Sequence, residues 1–394
     1  MVTAVQLGQG YGTSTSWCEI SRSAIARNVA TLRQRVGSEV KLGVVIKADG
    51  FGHGLGICAR AFVEAGVDWL IVNFAYEAAA IRSAGVEVPI YICGHVMPSQ
   101  APTVAQTGAR VVLYDQGVAE ALSAAAQPLG TPVPVHLKIE TGTHRQGLGV
   151  AEAIDLARHI DALPGIALEG LTTHYADIED TTDHRFAHHQ LTQLLAAQVA
   201  FREAGFVVPM VHSANSAATI LWPQTHGSLV RVGIAAYGLW PSTETYATVL
   251  QTANRPDGFL PHLAPVLSWK TRLAQVKAVP AGGYVSYGRT FRAPYPMKIA
   301  VLPLGYHEGY DRRLSNLGHV LIKGQRAPIC GRVCMNMTMV DVTHLDVAAG
   351  DTATLLGRDG DETITAEQIA AWMGTINYEV VSRIHPSQPR YLVD

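Results

Sequence analysis

Short, apolar, β-branched runs recur along the first part of the chain, at Leu42–Ile46, Trp69–Val72, Pro89–Cys93, Arg110–Leu113, Val133–Ile139, Ala167–Thr172, Pro209–His212 and Leu229–Ala235. Each is short for a helix and is followed by turn or polar residues, so each reads as a buried strand. Alanine-rich segments with helical spacing lie between them, at Gly56–Ala65, Tyr76–Ala84, Val118–Ala126, Ala151–Ile160 and His184–Ala204. Alternating strands and helices make a parallel sheet, and eight such units over about 200 residues are what a TIM-type (β/α)8 barrel requires.

The pattern changes after Trp240. Pro241–Leu263 is rich in proline, threonine and glycine and reads as a linker. Beyond it, Val266–Ala278, Met297–Pro303, His319–Ile322, Ala327–Val342 and Thr352–Leu356 read as strands. One short helix is expected over Thr365–Met373, opened by a threonine cap with Glu367 two residues on. The expected division is therefore a barrel over residues 1–245 and a mostly β domain over residues 246–394, with the first residues free to pair with the second unit. No internal repeat or low-complexity tract interrupts this order.

With 394 residues the chain can bury a sizeable core, and a formal net charge of −2 with 16% charged residues offers no basic footprint for nucleic acid or an anionic membrane. A small-molecule substrate is expected. The opening MVTAVQLGQGYG has no charged stretch followed by a long apolar one, and no apolar run approaches the roughly 18 residues that span a bilayer, so a cytoplasmic location is expected. The five cysteines, Cys18, Cys58, Cys93, Cys330 and Cys334, form no CxxC pair and fit a reducing compartment as small, mostly buried side chains. No metal site is expected: His184, His188 and His189 have ligand-like spacing but no HEXXH, and read as a solvated helix face.

Chemistry concentrates in Val44–Gly54, VVIKADGFGHG, where the first strand delivers Lys47 into a glycine-rich turn. The end of a buried parallel strand is where such sheets bind ligands, and desolvation there disfavours the ammonium form, as a lysine that condenses with an aldehyde cofactor needs. A strand-end lysine that reaches solvent is the plainer alternative. Lys138, His174 and Asn215 also lie at or just beyond strand ends, the face on which barrels build active sites. HSANSAAT, His212–Thr219, has the hydroxyl and amide groups of a helix start, which suit a cap and a phosphate equally.

VVIKADGFGHG resembles the lysine motif of the alanine racemase family, and the likeness continues in order along most of the chain. It runs through TSWCEISRSAIARNVATLR, HLKIETGTHRQGLG, LEGLTTHYA, HSANSAAT, RVGIAAYG, VSYGRT, PLGYHEGY, APICGRVCMNMTMVD and TINYEV. The resemblance implies pyridoxal phosphate joined to Lys47, with its phosphate held by Ser216, the amides of Gly233 and Ile234, and Tyr378, beside Asn215. Phe51 stands where the family usually has a tyrosine that reaches the phosphate, so one hydrogen bond fewer is expected. Arg231 matches the arginine facing the pyridine nitrogen, a choice that leaves the nitrogen unprotonated and favours simple loss and return of a proton. His212 and His174 match supporting histidines, the first by the arginine and the second beside the ring.

Racemisation needs two bases on opposite faces of the α-carbon. The resemblance assigns them to Lys47 and to Tyr287 of VSYG, the latter reaching the site from the partner in a head-to-tail homodimer. It also assigns Arg145 to the substrate carboxylate, Lys138 to a lysine, often carbamylated, that holds this arginine, the amide of Met335 to a second carboxylate contact, and Tyr306 to the entrance. Glu140, Thr143, His144 and Asn336 depart from the family's more common Asp, Met, Gly and Asp. The implied reaction is interconversion of L- and D-alanine for peptidoglycan. Alternatives are a racemase of serine, lysine or a broad set of amino acids, a related decarboxylase, whose cysteine-aspartate-serine turn is absent here, and a noncatalytic pyridoxal-phosphate carrier, which has the barrel alone.

Overall fold

A computed structural model describes residues 14–252 and 258–394. Residues 1–13, on which the leader reading rests, and 253–257 of the expected linker lie outside the described residues. The described residues begin in the second unit rather than the barrel. β1 (Ser16–Ser21) pairs antiparallel with Leu267–Arg272 and parallel with Arg390–Val393. A helix over Arg22–Val36, capped by the Ser21 hydroxyl on the Ala24 amide, then carries the chain into the barrel.

Eight strands follow: β2 (Lys41–Val45), β3 (Trp69–Val72), β4 (Ile90–Ile92), β5 (Arg110–Leu113), β6 (Val133–Lys138), β7 (Ile166–Thr172), β8 (Met210–His212) and β9 (Leu229–Val232). They pair parallel in the order β9-β2-β3-β4-β5-β6-β7-β8. The ring closes where the Ser228 and Arg231 amides donate to the Val211 and Ala214 carbonyls, both at 2.9 Å. The fold is the (β/α)8 barrel that the alternation predicts. Alternate strand residues point inward, and Trp69, Ile71, Tyr91, Val112 and Leu229 fill the interior as a cluster of their own. Polar residues also enter the interior. His136 is fully buried there, and Gly170 makes room for it, since a Cβ at Gly170 would lie 2.6 Å from the His136 ring.

The second unit is mostly β. A seven-stranded sheet includes β1, Leu267–Arg272, His319–Ile322, Gln325–Pro328, Thr352–Asp359 and Arg390–Val393, and a three-stranded sheet joins Gln275–Val279, Met297–Leu302 and Thr338–Asp341. Three sequence expectations need correction. The linker is partly helical, over Thr243–Thr252, with Ser242 Oγ accepting from the Thr245 amide. The long runs Val266–Ala278 and Ala327–Val342 each break into two strands that join different sheets, because apolar periodicity does not report where a strand changes partner. The cap of helix Ala366–Met373 is Thr365 as expected, but its reciprocal partner is Gln368; Glu367 instead receives the Asn377 amide group. Among the described residues no helix is long and apolar enough to cross a membrane.

Candidate active site

Lys47 leaves β2 at the C-terminal mouth of the barrel, and the residues after it turn the wrong way. Ala48, Asp49, Gly50, Phe51 and Gly52 all have positive φ, between 52° and 80°. A left-handed turn costs about 1–2 kcal/mol for each residue that carries a Cβ, here Ala48, Asp49 and Phe51. The surroundings offset that cost with specific bonds. The buried Glu77 carboxylate accepts from the amides of Ala48 (2.9 Å), Asn73 (2.8 Å) and Phe74 (3.0 Å), and Asp49 accepts from the Leu55 amide at 2.7 Å. Tyr237 donates to the Val45 carbonyl at 3.0 Å. The second unit closes the turn: Arg390 donates to the Gly52 carbonyl at 2.9 and 3.2 Å, and a Cβ on Gly52 would lie 1.9 Å from the Val381 carbonyl oxygen. None of these braces is visible as a motif; Glu77 follows Phe74, so the usual Ser/Thr-x-x-Glu signature is missing.

Across the mouth, Arg231 on β9 is buried and both terminal nitrogens of its guanidinium are held in place. It donates to His212 Nδ1 (2.6 Å) and to the carbonyls of Thr173 (2.9 Å) and Ser213 (3.2 Å), with His174 Nδ1 at 3.5 Å. Because a guanidinium only donates, His212 Nδ1 must accept, which places the His212 proton on Nε2. That nitrogen lies 2.6 Å from His136 Nδ1, and His136 Nε2 lies 2.8 Å from Glu169, which is also bound by Arg110. The proton positions along this chain are thus fixed from Arg231 to Glu169, with both histidines neutral. Burial, with the neighbouring Arg231 charge, holds His212 well below the usual histidine range, and burial holds His136 down despite Glu169. Sequence reasoning missed His136, Glu169 and Arg110; the available signal was that His136 lies two residues before Lys138 on the same strand and so shares its inward face.

His174 stands at the centre of the mouth's charge. Burial comes first, then the charges of Lys138, Arg231, Arg145 and Lys47, and together they hold its pKa well below the ordinary value. Lys138 is itself nine-tenths buried, and burial, Arg231 and Arg145 hold it far below the usual lysine range. Four basic side chains from three strand ends, Lys47 after β2, Lys138 and Arg145 at and after β6, and Arg231 on β9, therefore gather at the mouth, the arrangement expected for an anionic ligand.

The residues expected to hold a phosphate also come together. Asn215 caps the helix Ser216–Leu221 through the Ala218 amide at 2.9 Å. Ser216 Oγ accepts from the amides of Gly233 (2.9 Å) and Ala235 (3.3 Å), which leaves its own proton to donate. Ile234 opens the turn Ile234–Tyr237, so its amide has no acceptor within that turn. The Phe51 ring reaches this cup: its Cζ would lie 3.3 Å from a Cβ on Gly233, and its centroid is 6.1 Å from that of Tyr378. Tyr378 donates to Glu179 at 3.0 Å, and burial with the Glu179 charge pushes the phenol well above its usual range. Hydroxyl donors, a turn start and a small-residue cradle fit the phosphate of pyridoxal phosphate. Phe51→Tyr is expected to add a hydroxyl at this cup and lower the cofactor dissociation constant about fivefold, the worth of one ordinary hydrogen bond. A fluorescence titration that shows equal or weaker binding would remove Phe51 from the cup.

A separate cluster lies on the second unit. Tyr287 is 71% exposed at the tip of the hairpin between Tyr284–Val285 and Phe291–Arg292. Ser286 fixes the tip by donating to the Arg332 carbonyl at 2.6 Å. The Tyr306 amide donates to the Cys334 carbonyl, the His307 amide to the Met335 carbonyl, and Asn336 to Glu308, which joins Tyr306, Met335 and Asn336 into one exposed surface. Among the described residues, none of these four hydrogen-bonds to the barrel mouth. The expected solvated face at His184 to His189 is only partly so, because His188 stacks on Trp222 at 4.1 Å and His184 meets the same ring edge-on at 5.2 Å. No group of His, Cys, Asp and Glu suited to a metal occurs among the described residues.

Buried neutral histidines make stability depend on pH. His53 is held at about 4 by burial, with the Phe51 carbonyl, 2.9 Å away, opposing the shift. Its folded value lies below the unfolded one, so the unfolded chain binds more protons between them. This contribution is complete above about pH 6.5 and is lost as the pH falls towards about 4. His53 alone is expected to remove about 3 kcal/mol over that window, and His136, His174 and His212 act in the same direction. Denaturant midpoints measured from pH 7.5 down to the acid limit check this; a flat profile would mean that these rings are charged in the fold.

Comparison with known proteins agrees with this geometry. The sequence pattern of the alanine racemase N-terminal domain matches residues 20–241, and that of the C-terminal domain matches residues 266–392. An alanine racemase of Leptospira interrogans is 38% identical over 388 residues, covering 97% of both chains, and one of Desulfovibrio desulfuricans is 39% identical over 379 residues, covering 96% of this chain and 98% of its own. Among solved structures, the alanine racemase of Bacillus anthracis with bound L-Ala-P superposes with a TM-score of 0.89 at 32% identity, covering 98% of this chain and 96% of its own. That of Streptomyces lavendulae gives 0.88 at 32% identity, with 97% of each chain covered. With both domain patterns matched in order and relatives aligned over nearly their whole length, the chain belongs to the alanine racemase family.

Proposed function

We propose that this protein interconverts L- and D-alanine with pyridoxal phosphate and two bases, Lys47 and Tyr287. The observation that carries the reading is the setting of Arg231. Its donors are fixed by His212 and two backbone carbonyls, and His212 is fixed in turn through His136 to Glu169. A guanidinium held this way can only donate to whatever faces it, so a ring nitrogen placed there keeps its lone pair and receives no proton. That restrains chemistry that needs a fully protonated ring and favours removal and return of one proton.

When bound, pyridoxal phosphate supplies an electron-withdrawing ring that makes the α-proton of an attached amino acid removable. The chain's own residues do the rest. Ser216, Gly233, Ile234 and Tyr378 would hold the phosphate, Lys47 would anchor the cofactor, and His174, held well below the usual histidine range, would stay neutral beside the ring. Arg145 takes the substrate carboxylate with the Met335 amide as a second contact. Lys138 supports Arg145, and a lysine held below its usual range offers the neutral amine that adds carbon dioxide to form a carbamate. Lys47 Nζ then moves the α-proton on one face and Tyr287 Oη on the other.

Tyr287, Tyr306 and Met335 are exposed on the second unit and, among the described residues, make no hydrogen bond to their own barrel. This supports a head-to-tail homodimer in which a second copy of the chain completes each site. A cytoplasmic supply of D-alanine for peptidoglycan is the role such an enzyme would fill. The test is incubation of the cofactor-loaded protein with L-alanine in deuterated water. D-alanine carrying deuterium at the α-carbon establishes the two-base reading. Absence of both exchange and D-alanine would overturn alanine as substrate, and the same assay on serine, lysine and arginine then finds or excludes a broader racemase.

A further inference from the structure

The loop that carries Arg145, Ile139–Gly149, departs from the family's usual sequence at Glu140, Thr143 and His144 together, and the three departures have one structural explanation. The Glu140 carboxylate folds back into its own turn. It accepts from the Gly142 amide at 2.5 Å, and the bonds from the Thr143 and His144 amides, with Gly142, hold its pKa below the usual range although burial works against them. His144 takes φ 50° to close this turn. The side chain of Thr143 then points across to the neighbouring strand end and donates to the His174 carbonyl at 2.8 Å.

The same carbonyl receives a second donor. Gln190, wholly buried on the helix Arg185–Glu203, donates to the His174 carbonyl at 3.1 Å and to Thr141 Oγ1 at 3.2 Å, while its own oxygen accepts from the Ala176 amide at 2.9 Å. The Ala176 bond fixes the orientation of the Gln190 amide. Thr141 Oγ1 lies 2.7 Å from Thr173 Oγ1, and Thr173 donates to the Ile139 carbonyl at 3.0 Å, so Thr141 must donate to Thr173. Every proton in this network has one place. It ties both ends of the turn before Arg145 to the strand end that carries His174, and among the described residues no hydrogen bond or ion pair holds Arg145 itself.

We propose that Thr143 and Gln190 are positioning residues for the substrate carboxylate: by pinning the Arg145 loop to the His174 carbonyl, they set the distance between the carboxylate-binding guanidinium and the ring-side histidine. This rests on the carboxylate role given to Arg145 above. A pin of this kind acts on binding in ground state and transition state alike, so its loss raises KM and leaves kcat nearly unchanged. A role in general loop stability would lower both or neither.

Gln190 is too deeply buried to remove cleanly, so the test falls on the half-buried Thr143. In the cofactor-loaded enzyme, Thr143→Val removes the hydroxyl at nearly constant volume. The expected result is a rise of about fivefold in KM for L-alanine, with kcat within about twofold, unchanged cofactor absorbance, and restoration by Thr143→Ser. The dissociation constant of propionate, a carboxylate without the amine, read from the cofactor's absorbance, is expected to rise by the same factor without any turnover. Unchanged KM and propionate affinity in Thr143→Val, or a serine variant no better than valine, overturns the pin. Propionate that fails to bind the parent enzyme, or binds an Arg145→Ala variant equally well, overturns the carboxylate role of Arg145 instead.

Discussion

Lys47→Ala is expected to lose the visible absorbance of lysine-linked pyridoxal phosphate and to lower turnover by about 10⁴-fold or more, since one side chain serves as both covalent anchor and base. The fold should tolerate the change. The left-handed turn begins after position 47, and its braces from Glu77, Asp49 and Arg390 engage the backbone of residues 48 to 55 rather than the lysine side chain. The phosphate cup comes from Ser216, Gly233 and Ile234 after β8 and β9, so cofactor should still bind without a covalent link. Gel filtration followed by an absorbance spectrum separates the outcomes. Cofactor that stays covalently attached would place the reactive amine on another lysine, and Lys138, the other lysine of the mouth, would be the first to examine.

The second large effect is directional. Tyr287→Phe removes one hydroxyl from an exposed hairpin tip, where no core packing depends on it, so cofactor content and thermal stability should be those of the parent enzyme. Deuterium incorporation into L-alanine is expected to slow by at least about 100-fold, the usual worth of a positioned acid–base group. With abstraction from L-alanine assigned to Tyr287, the opposite face is left to Lys47, so exchange at the α-carbon of D-alanine should survive as washout without inversion. L-alanine exchange within about threefold of the parent would put the second base elsewhere. A mixture of Lys47→Ala and Tyr287→Phe chains adds a check on the dimer: a site shared between copies regains one intact pair in mixed dimers, whereas a site within one chain regains none.

What could be read from the sequence, and what could not, follows from the range of each interaction. The eight barrel strands were legible because a parallel strand buried on both faces is written as a local apolar run, and Lys47, Lys138, His174 and Asn215 were legible as residues just past such runs. The family's ordered motifs added the roles proposed for Arg231, Arg145 and Tyr287. The braces were not legible, because their partners are remote in sequence and ordinary in type: Glu77 lies 29 residues from the amide it holds at Ala48, and Arg390 lies 338 residues from Gly52. Thr143 could be marked as a departure, but its meaning depends on a carbonyl 31 residues away. The β domain was read correctly in kind and misread in detail at Leu273 and Ala274, where an apolar run crosses from one sheet to another.

The turn behind Lys47 has a consequence for heredity. A (β/α)8 barrel is ordinarily a portable unit, able to be joined to new partners by recombination as long as its own ring closes. Here the turn after Lys47 is completed by Arg390 of the β domain and by the carbonyl of Val381, which a side chain at Gly52 would strike. A chimera that kept this barrel and took its β domain from elsewhere would have to inherit those two contacts as well. The two domains are separate in architecture, but as carriers of the Lys47 turn they form a single inheritable unit.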